Sequence, residues 1–180
     1  MKNKILLTGY SRGGQFSHRF ALANPQLVHA VAPCAAGTWT TPNGKLLIEQ
    51  TDSVADPETY LANPENAKSS PARLQGIFTP RVAKVAGLPP QPGAENIPFL
   101  VMCGSLDTRF NIANKFSQSL KDAGYQVNTK WPKTPHGSRN KKEYAAEFEK
   151  FPSEIMKFFQ QTTASAPAKS PPATGESGKK

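Results

Sequence analysis

Residues 4–14 read Lys-Ile-Leu-Leu-Thr-Gly-Tyr-Ser-Arg-Gly-Gly. No other stretch constrains the fold as strongly. A short apolar run, Ile5 to Leu7, enters Gly9-x-Ser11-x-Gly13, and a helix-compatible stretch follows at once. Strand, sharp turn and helix with serine at the apex is the context of a nucleophile elbow. Such a turn strains the serine backbone, and a side chain at Gly9 or Gly13 is expected to collide with the neighbouring strand or helix. The plainer alternatives are a glycine-rich strand–helix turn without chemistry, or one that holds a phosphate at the helix N-terminus.

Behind the elbow, Phe16 and Phe20 lie four apart with Gln15 and Arg19 beside them, which predicts an amphipathic helix over 11–23 ended by Asn24-Pro25. Leu27 to Ala32 reads as a buried parallel strand closed by Pro33. Ile97 to Cys103 is the strongest strand of the chain, followed by the loop Gly104-Ser105-Leu106-Asp107. Ile112, Phe116 and Leu120 then mark a helix ended near Gly124. Tyr125 to Trp131 alternates like a strand, and Pro132 to Arg139 is a loop holding His136. Lys141 to Gln161 reads as helical, split by Pro152. The alternation predicts an α/β fold, a mainly parallel sheet of about four strands with helices on both faces.

Between these units, residues 37–96 are rich in Pro, Asn, Thr and Ser and only weakly periodic. They read as a lid-like excursion, with short helices around 57–61 and 80–86 and a boundary at Pro89-Pro90-Gln91-Pro92-Gly93. Trp39 and Tyr60 either pack this excursion onto the core or line a pocket. Residues 162–180 have no large apolar side chain and three prolines, so they are expected to be a disordered tail after a domain spanning 1–161.

In a parallel sheet the loops after the strands share the carboxyl edge, where ligands bind. Ser11 follows the first strand, Asp107 the third and His136 the fourth, so three loops converge in the order Ser…Asp…His. A neutral serine needs an adjacent base, which His136 supplies. Asp107 holds the imidazole tautomer, and the backbone N–H of Arg12 faces a developing oxyanion. Tyr10 and Trp39 are candidate pocket residues. His18 lies too far down the first helix to reach the apex, and His29 packs beside a strand or meets solvent. Asp52, Asp56 and Asp122 read as surface charge.

The net charge is +9, and the tail lysines Lys169, Lys179 and Lys180 account for little of it. With no arginine-rich run, RNA-binding aromatic signature or zinc-finger spacing, the basic surface reads as solvated, and no nucleic-acid partner is expected. Three scattered histidines predict neither metal nor cofactor. Cys34 and Cys103 read as buried thiols, or as one bridge if their strands adjoin. No segment is long and apolar enough to span a membrane. No signal peptide precedes the first strand, so the chain as written reads as cytoplasmic, while a longer parent with a leader would be secreted.

Gly9-Tyr10-Ser11-Arg12-Gly13-Gly14-Gln15-Phe16, the following His18-Arg19-Phe20-Ala21, the Gly104-x-x-Asp107 loop and Pro135-His136-Gly137 together resemble the C-terminal part of an α/β-hydrolase. The chain looks most like bacterial serine esterases related to polyhydroxyalkanoate depolymerases and feruloyl esterases, over about residues 2–161. The resemblance implies a serine carboxylic-ester hydrolase acting through an acyl-enzyme on a small-molecule ester, with peptidase activity a close variant. It implies that the four strands are the fifth to eighth of eight and that the excursion is the lid after the sixth. The first four strands, and the loop that supplies a second oxyanion donor, would then be absent, a loss worth about 10²–10³ in turnover. The first strand would be an open apolar edge, to be covered by a partner or a second copy. The competing expectation is a truncated, non-catalytic fragment that acts as a binding module.

Overall fold

The computed structural model describes residues 4–44, 46–48, 51–54 and 90–164. Among them, β1 (Ile5–Tyr10) leads through Ser11 into α1 (Arg12–Ala23), and β2 (Val28–Cys34) follows. Three short strands come next: β3 (Thr38–Thr40), β4 (Leu46–Ile48) and β5 (Thr51–Val54). A 3-10 turn (Ala94–Asn96) precedes β6 (Phe99–Met102), α2 (Phe110–Asp122) and β7 (Val127–Lys130). Two further 3-10 turns (Ser138–Asn140 and Lys142–Tyr144) lead to α3 (Ala145–Phe148) and α4 (Lys150–Ala164).

β1, β2, β6 and β7 form one sheet in that order, every pairing parallel. Helices cover both faces, as the alternation predicts. One face buries Trp39, Phe99, Phe116, Leu120 and Val31 in a single apolar cluster with α1 and α2. The other buries Leu100 and Met102 against Phe151, Phe158 and Phe159 of α4. The inner strands β2 and β6 are covered accordingly, whereas Ile5 and Leu6 of the outer strand β1 remain 45% and 42% exposed. A parallel strand normally has both faces covered, so β1 carries more open apolar surface than its neighbours.

Four expectations are corrected. β2 does not stop before Pro33 but runs through it to Cys34. On the β6 side, Val31 N–H donates to Pro98 O at 3.0 Å and Ala35 N–H to Met102 O at 2.8 Å. The donor between them would be residue 33, and proline has none, so one rung is forfeited and the strand continues. The excursion opens with an antiparallel sheet, β3-β4-β5, that its weak periodicity concealed. The helices expected at 57–61 and 80–86, Tyr60 and Asp56 lie outside the described residues. α4 runs to Ala164, past the expected tail boundary at 162, and the Thr162 and Thr163 hydroxyls donate back to Phe159 O at 3.0 and 2.9 Å. The tail beyond 164 lies outside the described residues. Finally, the break before α4 falls at Glu149, and Pro152 sits in the first turn of α4, where no intrahelical N–H bond is lost.

Candidate active site

β1 ends at Tyr10, and Ser11 turns the chain into α1 with φ 56° and ψ −111°, a left-handed backbone that L side chains rarely adopt. The turn is held by Ser11 N–H donating to Cys34 O at 2.9 Å and Gln15 N–H to Ser11 O at 3.1 Å. Gly9 is required: a Cβ there would stand 2.2 Å from Gly13 O. Gly13 is not, because a Cβ there meets nothing within 4 Å, which corrects the expected collision. The second obligatory glycine is Gly14, whose Cβ would lie 2.5 Å from Cys34 O, where α1 crosses the end of β2. Arg12 is the first residue of α1, so its backbone N–H is among those that helix geometry leaves without an intrahelical acceptor.

The loops after β6 and β7 are built against each other. Ser105 N–H donates to Pro132 O at 2.8 Å, and a Cβ on Gly104 would stand 1.9 Å from Thr134 O. Thr134 and Ser138, on either side of His136 in the chain, bridge their hydroxyls, and Gly137 takes φ 68° to turn the chain. This brings the Asp107 carboxylate to the imidazole: Oδ2 accepts from His136 Nδ1 at 2.8 Å, with the Asp107 side chain 1% exposed and His136 29% exposed. Asp107 Oδ1 accepts the backbone N–H of Arg109 at 3.0 Å. Tyr10 stacks on the His136 ring at 5.2 Å between centroids and 19° between planes, and its hydroxyl accepts from Gly137 N–H at 3.3 Å. Burial foremost pushes the Tyr10 phenol above its ordinary range. Tyr10 also lines an apolar cleft of about 400 Å³ with Thr8, Cys34, Phe148, Phe151 and Ile155.

Ser11, Asp107 and His136 therefore meet at one end of the sheet, but the Ser11 hydroxyl is not bonded to His136. Its hydrogen-bond partner among the described residues is Arg109, whose Nη1 donates to Ser11 Oγ at 3.3 Å. The same nitrogen is 3.4 Å from Ala35 O and 2.8 Å from His136 Nδ1, and it also contacts His136 Nε2. Sequence reasoning missed Arg109. Its position two residues after Asp107, on the same loop, was the available signal.

Of the two roles open to Trp39, the structure shows packing onto the core. The side chain is fully buried, stacked on Phe116 at 4.5 Å and beside His18 at 5.0 Å, so that β3 is locked onto α1 and α2. His18 packs as expected. Its Nδ1–H donates to Gly14 O at 2.8 Å and its Nε2 accepts from Thr40 N–H at 3.0 Å. Burial, with Arg19 nearby, holds the His18 pKa well below the usual imidazole value. His29 is half-buried, its Nε2 3.2 Å from Thr162 O. Cys34 and Cys103 are buried free thiols, and burial pushes Cys34 up to about 12. Among the described residues no cluster of His, Cys, Asp and Glu could hold a metal, and no helix is long and apolar enough to cross a membrane.

No family model matches the chain, and no curated protein does. Solved structures do. The acylaminoacyl peptidase of Pyrococcus horikoshii superposes with a TM-score of 0.54 at 18% identity, over 90% of this chain and 24% of that one. An esterase/lipase from an uncultured bacterium superposes with a TM-score of 0.50 at 15% identity, over 88% of this chain and 53% of that one. The chain thus spans about a quarter to a half of the structures it resembles. The parallel sheet, the strained serine turn and these superpositions agree on one architecture: the chain has part of the α/β-hydrolase fold.

Proposed function

We propose that the chain carries the reaction centre of a serine hydrolase that cleaves carboxylic esters through an acyl-enzyme. The observation that carries this reading is the 2.8 Å bond between a buried carboxylate, Asp107, and His136, at the same end of the sheet as the strained Ser11. Ser11 Oγ attacks the ester carbonyl carbon while His136 Nε2 takes its proton. Arg12 N–H stabilises the oxyanion of the tetrahedral adduct. Collapse breaks the bond to the alcohol oxygen, which leaves with the proton from His136. Water, deprotonated by the same imidazole, then releases the acid and restores Ser11. Asp107 holds Nδ1 protonated throughout, leaving Nε2 as the base. Two relatives in fold, an esterase/lipase and an acylaminoacyl peptidase, bear names that fit ester and amide cleavage respectively.

The test is covalent labelling by a neutral fluorophosphonate, mapped by mass spectrometry, together with a burst assay on p-nitrophenyl acetate. Adduct on Ser11 and a burst lost in Ser11→Ala are expected. Hydrolysis undiminished in Ser11→Ala would overturn the assignment. One observation favours a second reading, a binding module without turnover: Ser11 Oγ receives a hydrogen bond from Arg109 instead of giving one to His136. Well-folded protein that takes no label would establish that reading.

A further inference from the structure

Arg109 stands against the oxygen that an acyl group has to reach. The attacked carbonyl carbon must come within about 3–3.5 Å of Ser11 Oγ before reaction, and Arg109 Nη1 is already 3.3 Å from that oxygen. The side chain is not a surface arginine that has strayed. Arg109 is only 8% exposed, its backbone N–H is tied to Asp107 Oδ1, and its loop is tied to the His136 loop. Ser11 and Ala35 are the two non-glycine residues with positive φ among the described residues, at 56° and 45°. Both direct an oxygen at this one nitrogen, the hydroxyl of Ser11 and the carbonyl of Ala35. Two strained backbone positions converging on one guanidinium make a built site.

The contacts are also over-subscribed. Nη1 carries two hydrogens, yet three acceptors lie against it, Ser11 Oγ, Ala35 O and His136 Nε2, while the Nδ1 that donates to Asp107 stands 2.8 Å away. At least one of these acceptors goes without at any moment. Arg109 Nη1 also lies against both Ser11 Oγ and the imidazole that must take the serine proton. For the reaction to proceed, the guanidinium has to be drawn off this line. A carboxylate is the group that does so, because it accepts the guanidinium fork through two parallel charge-assisted bonds. Arg12, exposed beside Ser11, and the net charge of +9 favour the approach of an anion.

We propose that Arg109 is a specificity-determining residue that selects esters with a carboxylate on the acyl side, close to the scissile carbonyl because Nη1 stands 3.3 Å from Ser11 Oγ: hemiesters of short dicarboxylic acids. The inference rests on the serine-hydrolase reading and deepens it. Binding of the carboxylate withdraws Arg109 from His136 and Ser11, so the correct substrate lets Ser11 Oγ turn from Arg109 to His136. A neutral acyl chain of the same length leaves the guanidinium in the way.

The experiment compares monoethyl succinate with ethyl butyrate, by acid titration of hydrolysis, in the full chain and in its Arg109→Gln and Arg109→Lys variants. Each protein is also labelled with the neutral fluorophosphonate and titrated calorimetrically with succinamate, an amide isostere of the hemiester. Hydrogen bonds to a charged group imply a preference of roughly 10–100-fold in kcat/KM for the hemiester. That ratio is expected to fall to about 1 in Arg109→Gln and to an intermediate value in Arg109→Lys, which keeps the charge without the fork. Should Arg109→Gln not fold, the drop in Arg109→Lys decides. Equal ratios in wild type and variants, with Ser11 labelled in all, would overturn the role of Arg109 and leave the serine reading standing. No labelling, but succinamate binding lost in Arg109→Gln, would overturn the serine reading and uphold the anion site. Neither labelling nor binding would overturn both.

Discussion

The two halves of the site differ in how they are assembled. Asp107 and His136 come from adjacent loops that share backbone hydrogen bonds, and their side chains meet at 2.8 Å. Ser11 comes from the outer strand of the sheet, and its hydroxyl meets Arg109 instead of His136. The Asp–His half is organised by contacts the described residues make among themselves. The Ser–His half has the strained turn in place, but a third residue sits at the junction. Pre-organisation of an acid–base pair and completion of the nucleophile are therefore separable steps in this molecule, carried by different elements.

This contrast can be broken at several points. The largest effect is expected at the nucleophile: Ser11→Ala should lower ester hydrolysis by roughly 10⁴–10⁶-fold while the thermal midpoint stays unchanged. Steady-state kinetics beside a melting curve read both. Asp107→Asn should cost about 10⁴ in kcat, because the amide favours the wrong tautomer of His136. If it costs no more than a few-fold, the Asp–His half is not the organised one.

Backbone substitutions sharpen the Ser11 half. Gly9→Ala pushes a methyl group into Gly13 O, and Gly14→Ala into Cys34 O. Each should destabilise by about 2 kcal/mol or more, as backbone strain and overpacking do. Gly13→Ala meets open space inside a helix and should be neutral or stabilising by up to about 1 kcal/mol. Urea denaturation of the three variants distinguishes them, and equal costs would contradict the close approach of β1 and α1.

The last effect concerns the buried histidine, His18. His18 is held neutral in the folded chain by burial, with Arg19 opposing its charge and the Gly14 carbonyl favouring it. Its folded pKa lies below the unfolded value of about 6.5, so below that pH the unfolded state binds the extra proton. Stability should therefore fall by about 1.4 kcal/mol per pH unit as pH drops below 6.5, until His18 titrates in the folded state. His18→Gln should remove this dependence. A pH series of denaturation curves that is flat between 6.5 and 5 in the wild type would refute it.

Much of this was legible along the chain. Glycine at 9 and serine at 11 after an apolar run marked the elbow, and Phe16, Phe20, Ile112, Phe116 and Leu120 marked their helices by period alone. Ser11, Asp107 and His136 were placed on strand-end loops by the order of the elements. These are local signals, set by backbone sterics and by the burial of one face. The misreadings were contacts between distant segments. Whether Gly13 or Gly14 must lack a side chain depends on where Cys34 O lies. The core packing of Trp39, one of two roles the sequence left open, is likewise fixed by distant residues, Phe116 and His18. Pro33 ends a strand only if its missing N–H cannot be spared. The sequence by itself determined the strand–helix alternation, the strained serine turn and the residues that reach one sheet edge, because those follow from short-range sterics and periodicity. Only the tertiary structure decided that Arg109 stands between Ser11 and His136. A flexible side chain takes its direction from the acceptors that folding gathers around it, and those come from three separate parts of the chain.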